Sequence, residues 1–334
     1  MPSSEFDLIA AITERLPAPG PRVRVAGGDD AAVVEPRASS AITVDAVVDG
    51  VHFRLADFGP RAAGRKALGA ALSDLAAMGA AQGEAYVVVG APEGLSDEEL
   101  LGIADGIAEV AEREAVSISG GDLVRSPVLV ISVTAVGYEP GAARLVTRSG
   151  ARPRDVVAVT GRLGGAAAAL ILMERGPEAR GASPELRESL LARQLDPVPR
   201  LREGRALAAA GATAMIDISD GLGADAGHLA AASECRLEIE LSKVPVAEGV
   251  AQVAGGEREA LELAAGGGED YELLVTLPRD RLDAAAAAVA EAGSPLTEIG
   301  YATEGSGVTI RLEGGGELEP KGFDQRRGSL SGSG

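Results

Sequence analysis

The sequence predicts an α+β protein of two domains, and three observations carry that reading. The chain has 334 residues, more than one compact core usually holds. β-Branched apolar runs alternate irregularly with stretches at helical spacing. The pattern then restarts after a polar, Pro- and Gly-bearing segment, Ser149-Gly150-Ala151-Arg152-Pro153-Arg154-Asp155, which sets a boundary near residue 148. The expected division is 1–147 and 148–327, with a disordered Gly/Ser tail at 328–334.

In chain order, residues 5–16 read as a helix, and Pro17, Pro19, Gly20 and Pro21 force an extended loop after it. Residues 41–45 read as a strand. Residues 60–79 read as a long helix, with Ala67, Leu68, Ala71, Leu72, Leu75 and Met78 at helical spacing. Strands are expected at 85–90 and 127–137, around a helix at 96–114 that Ser96 and Glu99 start with a capping box. The second half reads as strands at 155–160, 213–217, 237–241 and 271–277 and a pair within 295–312. Its helices are expected at 164–175, 185–192, 200–210, 221–233 and 280–292.

Composition narrows the function. Apolar residues make up 46%, much of it Ala and Gly, with 2% aromatics, so the cores are expected to pack backbones closely. A net charge of −19 sets nucleic acid aside as a partner, while an acidic enzyme can still bind a polyphosphate if metal ions stand between the two sets of anions. One cysteine precludes a disulfide framework within the chain. The start of the chain lacks the basic and apolar pattern of a signal peptide, and apolar runs are broken by Gly or charge. A soluble, cytoplasmic protein is the expectation. Only two histidines are present, His52 and His228, which disfavours Ser-His-Asp triads and His-rich zinc sites.

Aspartate, by contrast, recurs inside short Gly-flanked motifs. These are Gly27-Gly28-Asp29-Asp30, Thr43-Val44-Asp45 with Asp49-Gly50-Val51-His52, Ser73-Asp74, Ser119-Gly120-Gly121-Asp122, Asp217-Ile218-Ser219-Asp220-Gly221, and Gly266-Gly267-Gly268-Glu269-Asp270. Each alone is equally an exposed turn, a strand end, a solvent face or an N-cap. Together they place isolated carboxylates on Gly-rich loops or element ends. Such carboxylates suit magnesium ions that bridge protein to phosphate. No Walker loop is present, because Arg65-Lys66-Ala67 follows the glycine spacing of Gly59 and Gly64. A Rossmann-like match exists at Gly221, Gly223 and Ala226, but Asp217 and Asp220 would flank the pyrophosphate with no positive charge to offset them.

The motif order resembles the thiamine-monophosphate kinase family. GDDAAV, TVDAVVDGVHF, KALGAALSDLAAMGA, GGD, TRSGA, DISDGL and GGGEDYELL follow one another at about the family's spacing over residues 27–274. The resemblance implies ATP-dependent phosphorylation of thiamine monophosphate with several Mg2+ ions. It also implies a homodimer whose N-terminal domains pair into a β-barrel, and a layered α/β C-terminal domain. It places metal ligands on Asp30, Thr43, Val44, Asp45, Asp74, Asp122, Asp217 and Asp220. Nucleotide contacts fall on Gly121, Asp122, Arg148 and Ser219, and substrate contacts on His52, Glu269 and Phe323. Asp45, Asp122, Arg148 and Asp220 carry the catalytic role in this reading. Val44 stands where the family has Thr, so only its carbonyl oxygen could serve. The acceptor would be a phosphate oxygen, already anionic near neutral pH, so no general base is required. Selenophosphate synthetase is disfavoured, since the only thiol is Cys235. Aminoimidazole ribonucleotide synthetase and a non-catalytic nucleotide- or cation-binding protein are the rival readings.

Overall fold

A computed structural model describes residues 5–26, 31–139, 141, 144–176, 183–319, 323–324 and 329–330. The chain forms two compact units. The first comprises Met1–Leu75, Ala80–Glu139 and Leu195–Pro197, and the second Ala76–Gly79, Pro140–Gln194 and Val198–Gly334.

The first unit begins with α1 (Glu5–Thr13) and a small ladder of β1 (Val23–Val25) and β2 (Val33–Val34). Its main sheet has the order β3-β6-β4-β5, from β3 (Ser40–Val48), β4 (Ala81–Ala91), β5 (Ser117–Arg125) and β6 (Val130–Tyr138). Two helices accompany it, α2 (Leu55–Ala77) and α3 (Asp97–Glu114). One sheet face is apolar and buried, with Val47, Ile131, Val133, Ala135, Ala85 and Val87. Gly64 of α2 and Gly106 of α3 let the two helices touch: an added Cβ would sit 2.1 Å from Ile103 O and 1.9 Å from Arg61 O respectively. This is the close backbone packing that an Ala/Gly-rich composition predicts. The capping box forms as expected, with Ser96 N–H donating to Glu99 Oε2 at 2.8 Å and Glu99 N–H to Ser96 Oγ at 3.2 Å.

Two expectations are corrected here and a third, the long helix from residue 60, is extended at its start. The first strand runs on to Val48, so Asp45 lies inside it rather than at its end. The long helix begins at Leu55 and breaks at Gly59, where φ is 71°, before Pro60 restarts it. Most consequentially, Ser119-Gly120-Gly121-Asp122 is no loop: it lies within β5. Its glycines serve packing instead, since a Cβ on Gly121 would come within 2.1 Å of Val87 O on the neighbouring strand.

The second unit holds a seven-stranded sheet of order β13-β12-β9-β11-β7-β10-β8. Its strands are β7 (Val156–Thr160), β8 (Ala214–Asp217), β9 (Arg236–Glu240), β10 (Leu273–Leu277), β11 (Leu296–Thr303), β12 (Gly307–Arg311) and β13 (Glu317–Leu318). All pairings are antiparallel except β9 with β12. The helices are α4 (Gly165–Arg175), α5 (Pro184–Leu195), α6 (Leu201–Ala210), α7 (Leu222–Ala232), α8 (Val250–Ala254), α9 (Glu257–Gly266) and α10 (Leu282–Ala292). The main core joins Val157, Val159, Ile216, Leu222, Leu229, Leu237, Ile239 and Leu274. A second cluster joins Ala168, Leu172, Leu190, Val250 and Val253. The sequence reading lacks α8 and α9, which are short or weakly patterned. In the expected tail, Ser329–Leu330 pairs with Phe323–Asp324 as a short ladder. Among the described residues, no helix is long and apolar enough to cross a membrane.

Candidate active site

In the first unit, strand alternation sorts the candidate residues onto two faces. Thr43 and Asp45 share the inner face of β3, because Thr43 pairs with buried Ala135 and Asp45 with buried Val133. Asp74 of α2 reaches them, and Thr43 Oγ1 donates to its Oδ2. Burial pushes the Asp45 carboxyl above its ordinary value and repulsion from Asp74 adds to this, while the Ala46 N–H and the charges of His52 and Lys66 oppose it. Lys66 is 1% exposed and lies 5.5 Å from the Phe58 ring centre. His52 accepts the Val48 N–H at Nδ1, at 3.1 Å, so in the neutral ring the proton sits on Nε2.

Val44 and Asp122 lie on the other face. Val44 is 68% exposed and alternates with Thr43 and Asp45, so its side chain points away from Asp74. Asp122 pairs with Val88, whose antiparallel partner is Ser132, in turn opposite Ala46. It therefore occupies the opposite face from Asp45, and the opposite edge of the same sheet. Its Oδ1 accepts the Leu123 N–H at 2.9 Å. Gly121 faces inward beside Val87. Within this unit the structure gathers Thr43, Asp45, Asp74, His52 and Lys66, and it leaves Asp122 apart. Asp30 lies outside the described residues.

In the second unit the turn after β8 and the loop before β10 are stitched together. Ile218 N–H donates to Glu272 O at 2.7 Å, Glu269 N–H to Ser219 O at 2.8 Å and Tyr271 N–H to Ile218 O at 2.9 Å. Gly268 is required by this approach, since a Cβ there would come within 2.5 Å of Ser219 O. Asp217 is 2% exposed at the end of β8, and Ser219 and Asp220 are half-buried just beyond it.

The structure adds a third carboxylate that the motif reading misses. Asp225 of α7 reaches back so that its Oδ2 accepts the backbone N–H groups of Ser219, Asp220 and Gly221, each at 3.0 Å. Burial, then the charges of Asp217 and Asp220, push its carboxyl up to about 8. The signal was available: Asp225 shares a helical face with Leu222, Ala226 and Leu229, where a charge is out of place. Asp220, Asp225 and His228 can bring ligand atoms within 4.8 Å of one another.

This arrangement decides what the turn can bind. The helix start is already satisfied by Asp225, so it does not offer those three N–H groups to a phosphate. What it presents is a concentration of carboxylate and hydroxyl oxygens whose mutual repulsion a hard cation relieves. The start of α4 is closed in the same way: buried Asp270 accepts Gly164 N–H at 2.6 Å and Ala166 N–H at 3.2 Å. Burial is the main reason its carboxyl rises to about 7.

Arg148 is exposed, on a segment tied down by Ser233, whose Oγ donates to Arg148 O at 2.8 Å and accepts the Gly150 and Ala151 N–H groups at 3.1 Å. Behind the Glu269 loop, fully buried Glu272 accepts Arg200 Nη2 at 2.6 Å, Arg200 Nε at 2.8 Å and Thr160 Oγ1 at 2.7 Å. For Phe323 only the backbone is described, in a two-residue strand.

Comparison with known proteins agrees with both units. Residues 28–138 match the AIR synthase related protein N-terminal domain, and residues 152–313 its C-terminal domain. The thiamine-monophosphate kinase of Methanopyrus kandleri is 40% identical over 312 residues, covering 92% of this chain and 93% of that protein. The crystal structure of thiamine-monophosphate kinase from Stenotrophomonas maltophilia K279a aligns at 35% identity with a TM-score of 0.82, covering 92% and 96% of the two chains. A structure described as AaThiL complexed with AMPPCP and TMP aligns at 34% identity and a TM-score of 0.76, covering 96% of each chain. With its N- and C-terminal halves both matched and its relatives aligned over nearly their whole length, the chain belongs to the thiamine-monophosphate kinase family within the AIR synthase related proteins.

Proposed function

We propose that the chain transfers the γ-phosphoryl group of ATP to the phosphate of thiamine monophosphate, giving thiamine diphosphate and ADP by in-line displacement. The observation that carries this reading is the solved relative bound to AMPPCP and TMP, an ATP analogue and the acceptor, aligned over almost the whole chain. The chemistry of the donor set supports it. Asp217, Asp220 and Asp225 crowd one turn, and Thr43, Asp45 and Asp74 crowd one sheet face beside Lys66 and His52, each set rich in oxygen. Each set fits Mg2+, with Thr43, Asp45 and Asp74 in one and Asp217 and Asp220 in the other; Asp30, the Val44 carbonyl and Asp122 are further ligands in this reading, although Asp122 lies on the sheet face opposite Asp45. Bound magnesium supplies neutralisation of phosphate charge.

The residues of the chain then have the following roles. The acceptor oxygen is anionic without help, which suits a protein with two histidines and removes the need for a general base. Arg148, exposed on its anchored segment, pairs with nucleotide phosphate, and Ser219 and the backbone at Gly121 and Asp122 contact the nucleotide. His52, Glu269 and Phe323 contact the thiamine moiety. Catalysis rests on alignment and charge compensation. A homodimer formed through the first unit is part of this reading, supported by the exposed apolar side chains Ile42, Val44, Val88 and Val124 on its sheet. We also place the protein in the cytoplasm.

The test is a coupled assay of thiamine diphosphate formation with ATP, with and without Mg2+. Thiamine diphosphate and ADP are expected in equal amounts and only with the metal. Absence of product from thiamine monophosphate under all conditions refutes the reading.

A further inference from the structure

The Glu269 loop contains a local contradiction. Glu269 has φ of +66° and Tyr271 φ of +50°, a region that costs a non-glycine residue about 1 kcal/mol or more. Three glycines precede Glu269, yet the left-handed position is not given to one of them. Gly267 has φ of −75°, and a Cβ on it would come within 2.6 Å of both the Ala167 Cβ and Leu263 O. Close approach therefore explains the glycines at 267 and 268. At 269 the side chain must justify the strain.

That side chain is held from behind. Glu269 Oε2 accepts Gln194 Nε2 at 2.7 Å, and the same amide nitrogen donates to Ala166 O at 3.3 Å. Gln194 is 1% exposed, at the end of α5. Ala166 N–H in turn donates to Asp270, the next residue after Glu269. The bonds close a ring: Glu269 to Gln194, Gln194 to Ala166, Ala166 to Asp270, and Asp270 back to Glu269 through the chain. A buried amide with a donor on a carboxylate fixes that carboxylate's direction.

We propose that Gln194 is a positioning residue for acceptor recognition, holding the Glu269 carboxylate aimed at the cationic heterocycle of the acceptor. This rests on the thiamine monophosphate reading given above. Gln194 touches no reacting atom in this proposal; it acts through Glu269 alone.

The experiment compares Gln194→Leu, Gln194→Glu, Glu269→Gln and the double variant Gln194→Leu/Glu269→Gln in steady-state assays against both substrates. Gln194→Leu keeps the volume and removes the donor. Its KM for thiamine monophosphate is expected to rise about tenfold, the scale of one lost hydrogen bond to a charged group, with kcat and the KM for ATP unchanged. In the Glu269→Gln background the same substitution is expected to have no further effect. Gln194→Glu sets a second acid against Glu269, so its KM relative to wild type should rise from pH 6 to pH 8; this arm also serves if the Leu variant does not fold. An unchanged acceptor KM in Gln194→Leu, or equal loss for ATP and acceptor, overturns the proposal. So does a full additive loss in the double variant. A wild-type protein that does not turn over thiamine monophosphate overturns the functional reading and this inference together, whereas an active wild type with an indifferent Gln194 overturns the inference alone.

Discussion

Replacing Asp225 with Asn should separate the two demands made on the turn after β8. The folded carboxyl titrates at about 8 against an ordinary value of 3.8. The folded state therefore holds a proton that the unfolded chain has already released, across the window between those values. Stability from this group is complete below pH 4 and falls as pH rises toward 8. The difference of about 4 units corresponds to about 6 kcal/mol in full, of which about 3–4 kcal/mol falls between pH 5 and 8. Asp225→Asn keeps an oxygen to accept the Ser219, Asp220 and Gly221 N–H groups and abolishes the titration. In metal-free buffer, unfolding followed by circular dichroism should show wild-type stability declining over pH 5–8 more steeply than that of the variant. Asp270, raised to about 7, slopes both curves alike, so the difference between them is the readout. Mg2+ at a hundred times its Kd should restore about 2.7 kcal/mol to the wild type at pH 8 and less to the variant. Parallel pH curves for the two proteins, or wild-type stability indifferent to Mg2+, would refute the crowding argument.

Other perturbations follow from the same geometry. Glu272→Gln removes the charge from the bidentate partner of Arg200, which keeps Glu203 at 3.8 Å, and should cost about 1.5–3 kcal/mol, read as a lower Tm; a loss under about 0.5 kcal/mol would show that the network is dispensable. Asp45→Asn and Asp220→Asn should nearly abolish turnover with little change in circular dichroism, and normal activity in both would remove them from the site. Arg148→Ala should raise the KM for ATP about tenfold or more while leaving the acceptor KM alone, and unchanged ATP kinetics would discard its role. Replacing Ile42 and Val44 with Lys should drive the protein to a monomer in analytical ultracentrifugation; an unchanged sedimentation coefficient would rule out that face as the dimer contact.

Much of the architecture was legible because it depends on local patterning. The period of Leu68, Leu72 and Leu75 marks α2, and the Ser96/Glu99 box marks the start of α3, while the chain's division into two units, after Glu139 and with short segments exchanged, is finer than the sequence pattern resolves. The aspartate motifs could be read as oxygen donors because their chemistry belongs to the side chain. What sequence could not decide is where a side chain points once neighbouring elements are paired. Asp45 and Asp122 look alike in their motifs, yet sheet register sets them on opposite faces of one sheet, and a shift of one residue would reverse either. Gly120-Gly121 reads as a loop until the nearness of Val87 shows it to be a strand. Asp225 and Gln194 belong to no recognisable motif. Asp225 bonds the start of its own helix, a local contact that its charge on an apolar face could have signalled, whereas Gln194 meets Glu269, distant in sequence, only when its helix packs, so tertiary structure alone assigns Gln194 its role.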